Sequence, residues 1–177
     1  MRRLEIWPYQ KEWALQFKEA SEKLKGVLGD VLMDIQHIGS TSIPGMAAKP
    51  VIDILAEVRD IGEVDAFVSE MERAGFVPRG EHGIPGRRYF VRATENVHTH
   101  HVHVFGKGSE HVMRHLAFRD YLREYPDEAE RYHNLKMQLV DDGVEDVKLY
   151  QDLKAPTVLE LQERAEKWMD GRKGKTP

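Results

Sequence analysis

The sequence predicts an α+β fold: a small mixed β-sheet with flanking helices and a helical layer at the C-terminal end. Three observations carry this. Short runs with strand alternation, "VLMDIQHI", "KPVIDILAEV", "RRYFVRA" and "HHVHVFG", fall before Gly108. Helical stripes precede and separate them. After Gly108 the strand signals stop and three helical patterns run toward the end.

The elements follow in order. Residues 9–28 place Trp13, Phe17, Leu24 and Leu28 near helical spacing, with a stop around Gly26 to Gly29. "VLMDIQHI" reads as a strand closed by Gly39, and "KPVIDILAEV" as a second strand that Pro50 can begin. Residues 61–75 carry Val64, Phe67, Val68 and Met71 on one stripe and stop at Gly75. "FVPRG" is a short strand and "EHGIPGRR" a loop. "RRYFVRA" and "HHVHVFG" form a hairpin. Helices are expected over 109–126, 127–143 and 144–171, the last kinked or split at Pro156. Residues 1–170 are read as one domain and 171–177, "GRKGKTP", as a flexible tail.

Composition narrows the function classes. The chain has 177 residues, enough for one core, with 41% hydrophobic and 32% charged residues and a net charge of -4. That balance argues against general nucleic-acid binding. With no cysteine, disulfides, thiolate metal sites and a Cys nucleophile are excluded, which fits a cytoplasmic protein. The start, "MRRLEIWPYQKEW", lacks the apolar core of a secretory signal, and no window is long and apolar enough to span a membrane.

Three stretches carry candidate chemistry. In "GSTS", Gly39 lets a ligand approach the backbone, Ser40 and Thr41 add hydroxyl donors, and Lys49 can neutralise an anion. The alternative is a polar loop with a serine cap. Asp53 lies in an apolar strand, where a carboxylate is costly unless paired, hydrogen-bonded or metal-bound; the alternative is an edge position facing solvent. His101 and His103, two apart on a strand, share a face and can converge on one transition ion; the alternative is the polar half of a hairpin. If the two strands are neighbours, a cation site lies beside an anion site. Arg119 and Arg123 share a helical face that can receive an anionic substrate or pair with Asp120 and Glu124. Lys136, Tyr150 and Lys154 can close one side of a pocket, or simply pack.

The motifs "HIGSTSIPGMAAKPVIDILAEV", "HHVHVF", "FRDYL" and the Tyr132–Lys136 "Y…LK" resemble the GrpB family, over nearly the whole chain. The resemblance implies a nucleotidyltransferase-like fold, in some relatives fused to dephospho-CoA kinase. It implies a glycine-serine turn after the first strand, matched by Gly39 and Ser40, and two alternating carboxylates on the next strand. Asp53 matches the first, but Leu55 stands at the second, and His101 and His103 replace the acid of a further strand. Asp53, His101 and His103 are thus the candidate catalytic and metal-holding residues. Gly39, Ser40, Thr41, Lys49 and Arg119 are the candidate phosphate or nucleotide contacts. A nitrogen-rich set favours manganese, zinc or a similar divalent ion over magnesium. The expected activity is metal-dependent transfer on a nucleotide or phosphorylated small molecule; a non-catalytic binding module and a phosphoester hydrolase are the alternatives.

Overall fold

A computed structural model describes residues 4–95 and 97–174. Helix α1 (Glu12–Leu28) buries Trp13, Ala20, Leu24 and Leu28 along one stripe, and Gly29, at φ 52°, ends it by returning its N–H to Lys25. Strands β1 (Leu32–Ile38), β2 (Ile52–Val58), β3 (Val77–Pro78), β4 (Arg88–Thr94) and β5 (Val97–Gly106) form one sheet in the order β1-β2-β5-β4-β3. Only β2 and β5 pair in parallel; the other pairs are antiparallel. The α+β class and the mixed sheet match the sequence expectation, and the "PVIDILAEV" and "HHVHVF" strands are direct neighbours.

Alternation divides the two central strands between two environments. Ile52, Ile54, Ala56 and Val58 are fully buried with Val102, Val104, Phe90 and Phe76 against α1. Each such valine, isoleucine or phenylalanine contributes about 1.5–3 kcal/mol on burial. On the opposite face Leu55 and Phe105 pack with Ile38 and Val112. There the sheet meets α3 (Glu110–Glu124), α4 (Pro126–Asp141) and α5 (Val147–Lys173). These helices share a second core of Ala117, Leu122, Tyr132, Leu161 and Ala165 with Ile43 and Met46. Asp53, His101 and His103 lie on this helix-facing side, where the apolar packing stops.

Several expectations need correction. β2 begins at Ile52 rather than Lys49, because Pro50 has no N–H and Val51 turns back to Lys49 O at 2.7 Å. The 61–75 segment is a tight 3-10 turn over Ile61–Phe67, capped by Asp60, before the short helix α2 (Val68–Arg73). Helix α5 passes through Pro156 without splitting and reaches Lys173, beyond the expected end at 171. Pro156 and Asp152, whose carbonyl it leaves without a helical partner, are both exposed, so water can serve that carbonyl. Residues 175–177 of the expected tail lie outside the described residues. Pro78 sits on the edge strand, where its missing N–H costs no ladder bond.

Candidate functional site

The site begins with a steric fit. Gly39 ends β1 at φ 72°, and a Cβ there would stand 2.7 Å from Asp53 Oδ2. Its lack of a side chain is what lets the turn cross the carboxylate. β2 lies between β1 and β5, so Asp53 is on an interior strand, not at an edge. The 3-10 turn Ser40–Ser42 follows, closed by Ser42 N to Gly39 O and Ile43 N to Ser40 O. Two of its hydroxyls serve the turn itself: Ser42 Oγ donates to Gly39 O, and Thr41 Oγ1 bonds His37 Nε2 at 2.9 Å and Val51 O. Ser40 differs, since its hydroxyl accepts from Lys136 Nζ at 3.1 Å.

The floor of the site is set by strand register. Asp53 pairs His101 across β2 and β5, and Leu55 pairs His103. His103 Nε2 lies 3.2 Å from Asp53 Oδ1 and His101 Nδ1 lies 3.5 Å from the same oxygen. The Asp53 side chain keeps 31% of its surface exposed. Desolvation alone would raise its pKa, but the hydrogen bonds and charge of the two imidazoles outweigh this and hold it well below the usual carboxylate range. Behind His103, Arg87 Nη1 approaches Nδ1 at 3.3 Å. Arg87 is only 5% exposed, lies over the Tyr89 ring and also donates to the carbonyls of Glu81 and His82. His101 Nε2 meets His98 Nδ1 at 3.0 Å.

These contacts bear on the expected metal. Among the described residues no three His, Cys, Asp or Glu side chains are arranged to hold an ion. His103 in particular does not fit. A ligating imidazole donates its second N–H to an acceptor, whereas the second nitrogen of His103 faces a guanidinium, which only donates. Asp53 and His101 alone fall short of the three protein ligands of a catalytic zinc site.

Above this floor opens a cavity of about 490 Å³ lined by Gly39, Ser40, Thr41, Lys49, Asp53 and His101 on the sheet side. Tyr132 and Lys136 of α4, with Tyr150 and Lys154 of α5, form the facing wall. Lys136 is 1% exposed and donates to Ser40 Oγ and to Ala47 O at 2.5 Å. Its ammonium lies 4.5 Å from the Tyr132 ring centroid, and that of Lys154 lies 4.9 Å from Tyr150. Burial, then the neighbouring Lys154, push the Lys136 pKa down to about 7. Burial pushes Lys154 down to about 8 against the attraction of Asp53. Tyr132 is pushed up to about 12 by burial, and Tyr150 is also raised. A smaller cavity of about 240 Å³ shares Gly39 and Asp53 and adds His103 and His115.

The structure therefore gathers Gly39, Ser40, Thr41, Lys49, Asp53 and His101 around one space, with His103 beneath. Arg119, expected at a phosphate, stands apart and does not line that cavity. Its Nη1 donates to Gln36 Oε1 and His37 O, and its Nε to Asp120. Arg123 holds Ser42 O with two N–H groups, so this pair clamps the backbone on either side of Gly39. The wall residues Lys136 and Lys154 and the buried Arg87 are the site groups that the sequence signalled least. For the two lysines the visible signs were spacing, Lys136 following Tyr132 and Lys154 following Tyr150 by one helical turn, and the "Y…LK" motif that Lys136 closes.

A mixed five-stranded sheet with a helical layer over one face, and a lysine-walled cleft at the glycine turn, defines the class of protein. The GrpB protein family pattern matches residues 3–164. The chain belongs to the GrpB family. It is similar to the UPF0157 protein YqkA of Bacillus subtilis, with 46% identity over 97% of this chain, which spans 50% of that relative's length. It is 33% identical to the UPF0157 protein BH1888 of Halalkalibacterium halodurans over 89% of this chain and 80% of the relative. The crystal structure of the conserved protein GrpB from Enterococcus faecalis superposes with a TM-score of 0.88 at 38% identity, covering 93% of this chain and 99% of that one. A Dephospho-CoA kinase of Mycolicibacterium paratuberculosis shares 28% identity over 92% of this chain, which spans 46% of that protein.

Proposed function

We propose that this chain binds a phosphorylated small molecule, a nucleotide in the first instance, in the cleft above Asp53, and acts on it as a transferase-like enzyme. One observation carries the reading. Lys136 and Lys154 face a single cavity, are desolvated enough to lower both pKa values, and form no ion pair with a carboxylate among the described residues. Asp53 attracts Lys154 only from across the cavity, and a phosphate entering between them supplies a nearer counter-charge. A volume of about 490 Å³ suits a nucleotide-sized ligand. Ser40 and Lys49 border the same space and add a hydroxyl and a positive charge.

Asp53 and His101 form the reacting end. Asp53 Oδ1 is shared by two imidazoles, so it orients His101 rather than titrating itself. Both His101 nitrogens are engaged, Nδ1 with Asp53 and Nε2 with His98, so a proton exchanged at the ligand passes through the His98–His101 pair. No step is routed through a metal, since His103 does not fit as a ligand.

The test is calorimetry of ATP, ADP and inorganic phosphate against the wild type, Lys154→Met and Asp53→Asn, each with and without manganese. Binding to the wild type that weakens at least tenfold in Lys154→Met is expected; absence of binding by all three ligands overturns the reading. Binding without turnover of any nucleotide leaves the non-catalytic module. Nucleotide binding that tightens with manganese, and ceases to do so in Asp53→Asn, restores the metal-dependent form.

A further inference from the structure

The histidine pair and its neighbours are disposed in a way that the proposed ligand does not require. His103 Nδ1 faces Arg87 Nη1 at 3.3 Å, and His103 Nε2 faces Asp53 Oδ1 at 3.2 Å. A guanidinium offers only N–H groups, so Nδ1 must present its lone pair. The single proton of the neutral ring therefore sits on Nε2 and points at the carboxylate. Arg87 is in turn fixed from three sides: the carbonyls of Glu81 and His82 accept from it, and the Tyr89 ring lies under it at 4.7 Å. Tyr89 also contacts the His101 and His103 rings, at 5.6 and 5.2 Å between centroids.

We propose that Arg87 is a positioning residue that fixes His103 as its Nε2–H tautomer, and so makes the Asp53–His101–His103 cluster a metal-free hydrogen-bonded centre. A His103 lone pair directed at Asp53 is what a divalent ion would need, and Arg87 denies it. Ligation there requires either an imidazolate or displacement of a buried guanidinium from its carbonyls. Asp53 in consequence receives an N–H from His103, and its Oδ1 is committed within the protein. Its Oδ2, which lies against Gly39, is the oxygen turned toward the turn. The glycine and the arginine thus act on opposite oxygens of one carboxylate: one leaves room, the other sends a donor through His103. This inference depends on the contacts of His103 alone, and no nucleotide enters its test.

Two measurements on the wild type decide it. Long-range ¹⁵N–¹H correlation spectra at neutral pH, with His103 assigned by comparison with His103→Gln, are expected to show the Nε2–H tautomer. Zinc and manganese titrations, run without other ligands, are expected to give the same affinity in the wild type and His103→Gln. An Nδ1–H tautomer, or a zinc affinity that falls tenfold in His103→Gln, overturns the proposal. Arg87→Ala should shift His103 toward Nδ1–H and raise zinc affinity at least tenfold, and the gain should vanish in Arg87→Ala/His103→Gln. Arg87→Lys, which still donates, should keep the wild-type spectrum. A purely structural role for Arg87 would leave the tautomer unchanged in every folded variant. Arg87 also anchors the 81–87 loop, so a misfolded Arg87→Ala leaves the decision with the two wild-type measurements.

Discussion

The floor and the wall of the cleft are built on opposite plans. On the floor, every charged or titratable group has a partner: Asp53 with two imidazoles, His103 with Arg87, His101 with His98. On the wall, Lys136 and Lys154 meet hydroxyls, a carbonyl and aromatic faces, and among the described residues form no ion pair with a carboxylate, Asp53 acting on Lys154 only at a distance. The floor is internally paired; the wall lysines are not ion-paired among the described residues. A buried group that is satisfied stabilises the fold, whereas one held without a counter-charge costs stability and marks a place where binding can recover it.

The largest effect that sharpens this contrast is on the wall. Lys136→Met combined with Lys154→Met should cut ATP or phosphate affinity at least a hundredfold, since each charged hydrogen bond contributes about 1.5–3 kcal/mol. The same double variant should be as stable as the wild type or more so without ligand, because two desolvated charges are gone. Denaturant midpoints check that half, and a large loss of stability would mean the lysines are structural.

On the floor the sign reverses. Gly39→Ala should destabilise by about 1–3 kcal/mol from backbone strain alone, with more from a Cβ placed 2.7 Å from Asp53 Oδ2. A lowered urea midpoint at unchanged slope is the measurement. No loss would show that the Gly39–Asp53 approach is not a fitted contact.

Proton linkage separates the two regions by pH. Lys136 and Lys154 carry pKa values of about 7 and 8, so phosphate affinity should weaken as pH rises from 7 to 9 and the ammonium groups discharge. Without ligand their effect on stability runs the other way. The unfolded lysines hold protons up to about 10.5 while the folded ones have lost theirs, so stability rises with pH between about 7 and 10.5. Beneath the sheet and behind the floor, burial lowers His37 and His115 to about 4. Unfolded histidine takes its proton below about 6.5 and the folded groups resist it. Stability should therefore fall as pH drops from 6.5 to 4, and His115→Gln should flatten part of that slope in thermal melts. Asp53, depressed in the fold, adds a further loss only below the ordinary carboxylate range.

The smallest effect is expected outside the cleft. Glu160, half-exposed, pairs Arg131 across α4 and α5 and Arg164 within α5. Glu160→Gln should leave the denaturant midpoint close to that of the wild type and ligand affinity unaltered, since water screens such surface pairs. A change in affinity would mean that the wall geometry depends on this surface network.

The sequence showed the floor far better than the wall, for a physical reason. Strand alternation has a period of two, so Asp53, His101 and His103 could be placed on faces from local spacing, and the glycine before them marked the turn. Their pairing across β2 and β5 then followed from adjacency of two strands. The wall depends on how α4 and α5 dock, and helix docking leaves no local trace: Lys136, Tyr150 and Lys154 read equally as one side of a pocket or as packing residues. Arg119 reads from the sequence as an anion contact or as a partner of Asp120; in the fold it bonds Asp120, the carbonyl of His37 and the amide of Gln36, partners whose positions a helix face does not reveal. Arg87 stood next to a visible loop, yet only the fold brings it behind His103. Pro156 likewise read as a break because its missing N–H is a local fact, while the tolerance of an exposed carbonyl is not.

The parallel pairing of β2 with β5 has a kinetic consequence. β4 and β5 are separated only by residues 95–96, and β1 and β2 by residues 39–51, both nearer in sequence than β2 and β5, so each antiparallel pair can form early from nearby chain. Parallel strands cannot close through a tight turn and must wait for the intervening crossover to compact. Asp53 belongs to one pair and His101 to the other, so neither half-sheet contains the centre. Refolding should therefore show hairpin amides protected before the amides that join Ile52–Val58 to His100–Gly106, and the centre assembling with that last, slowest step.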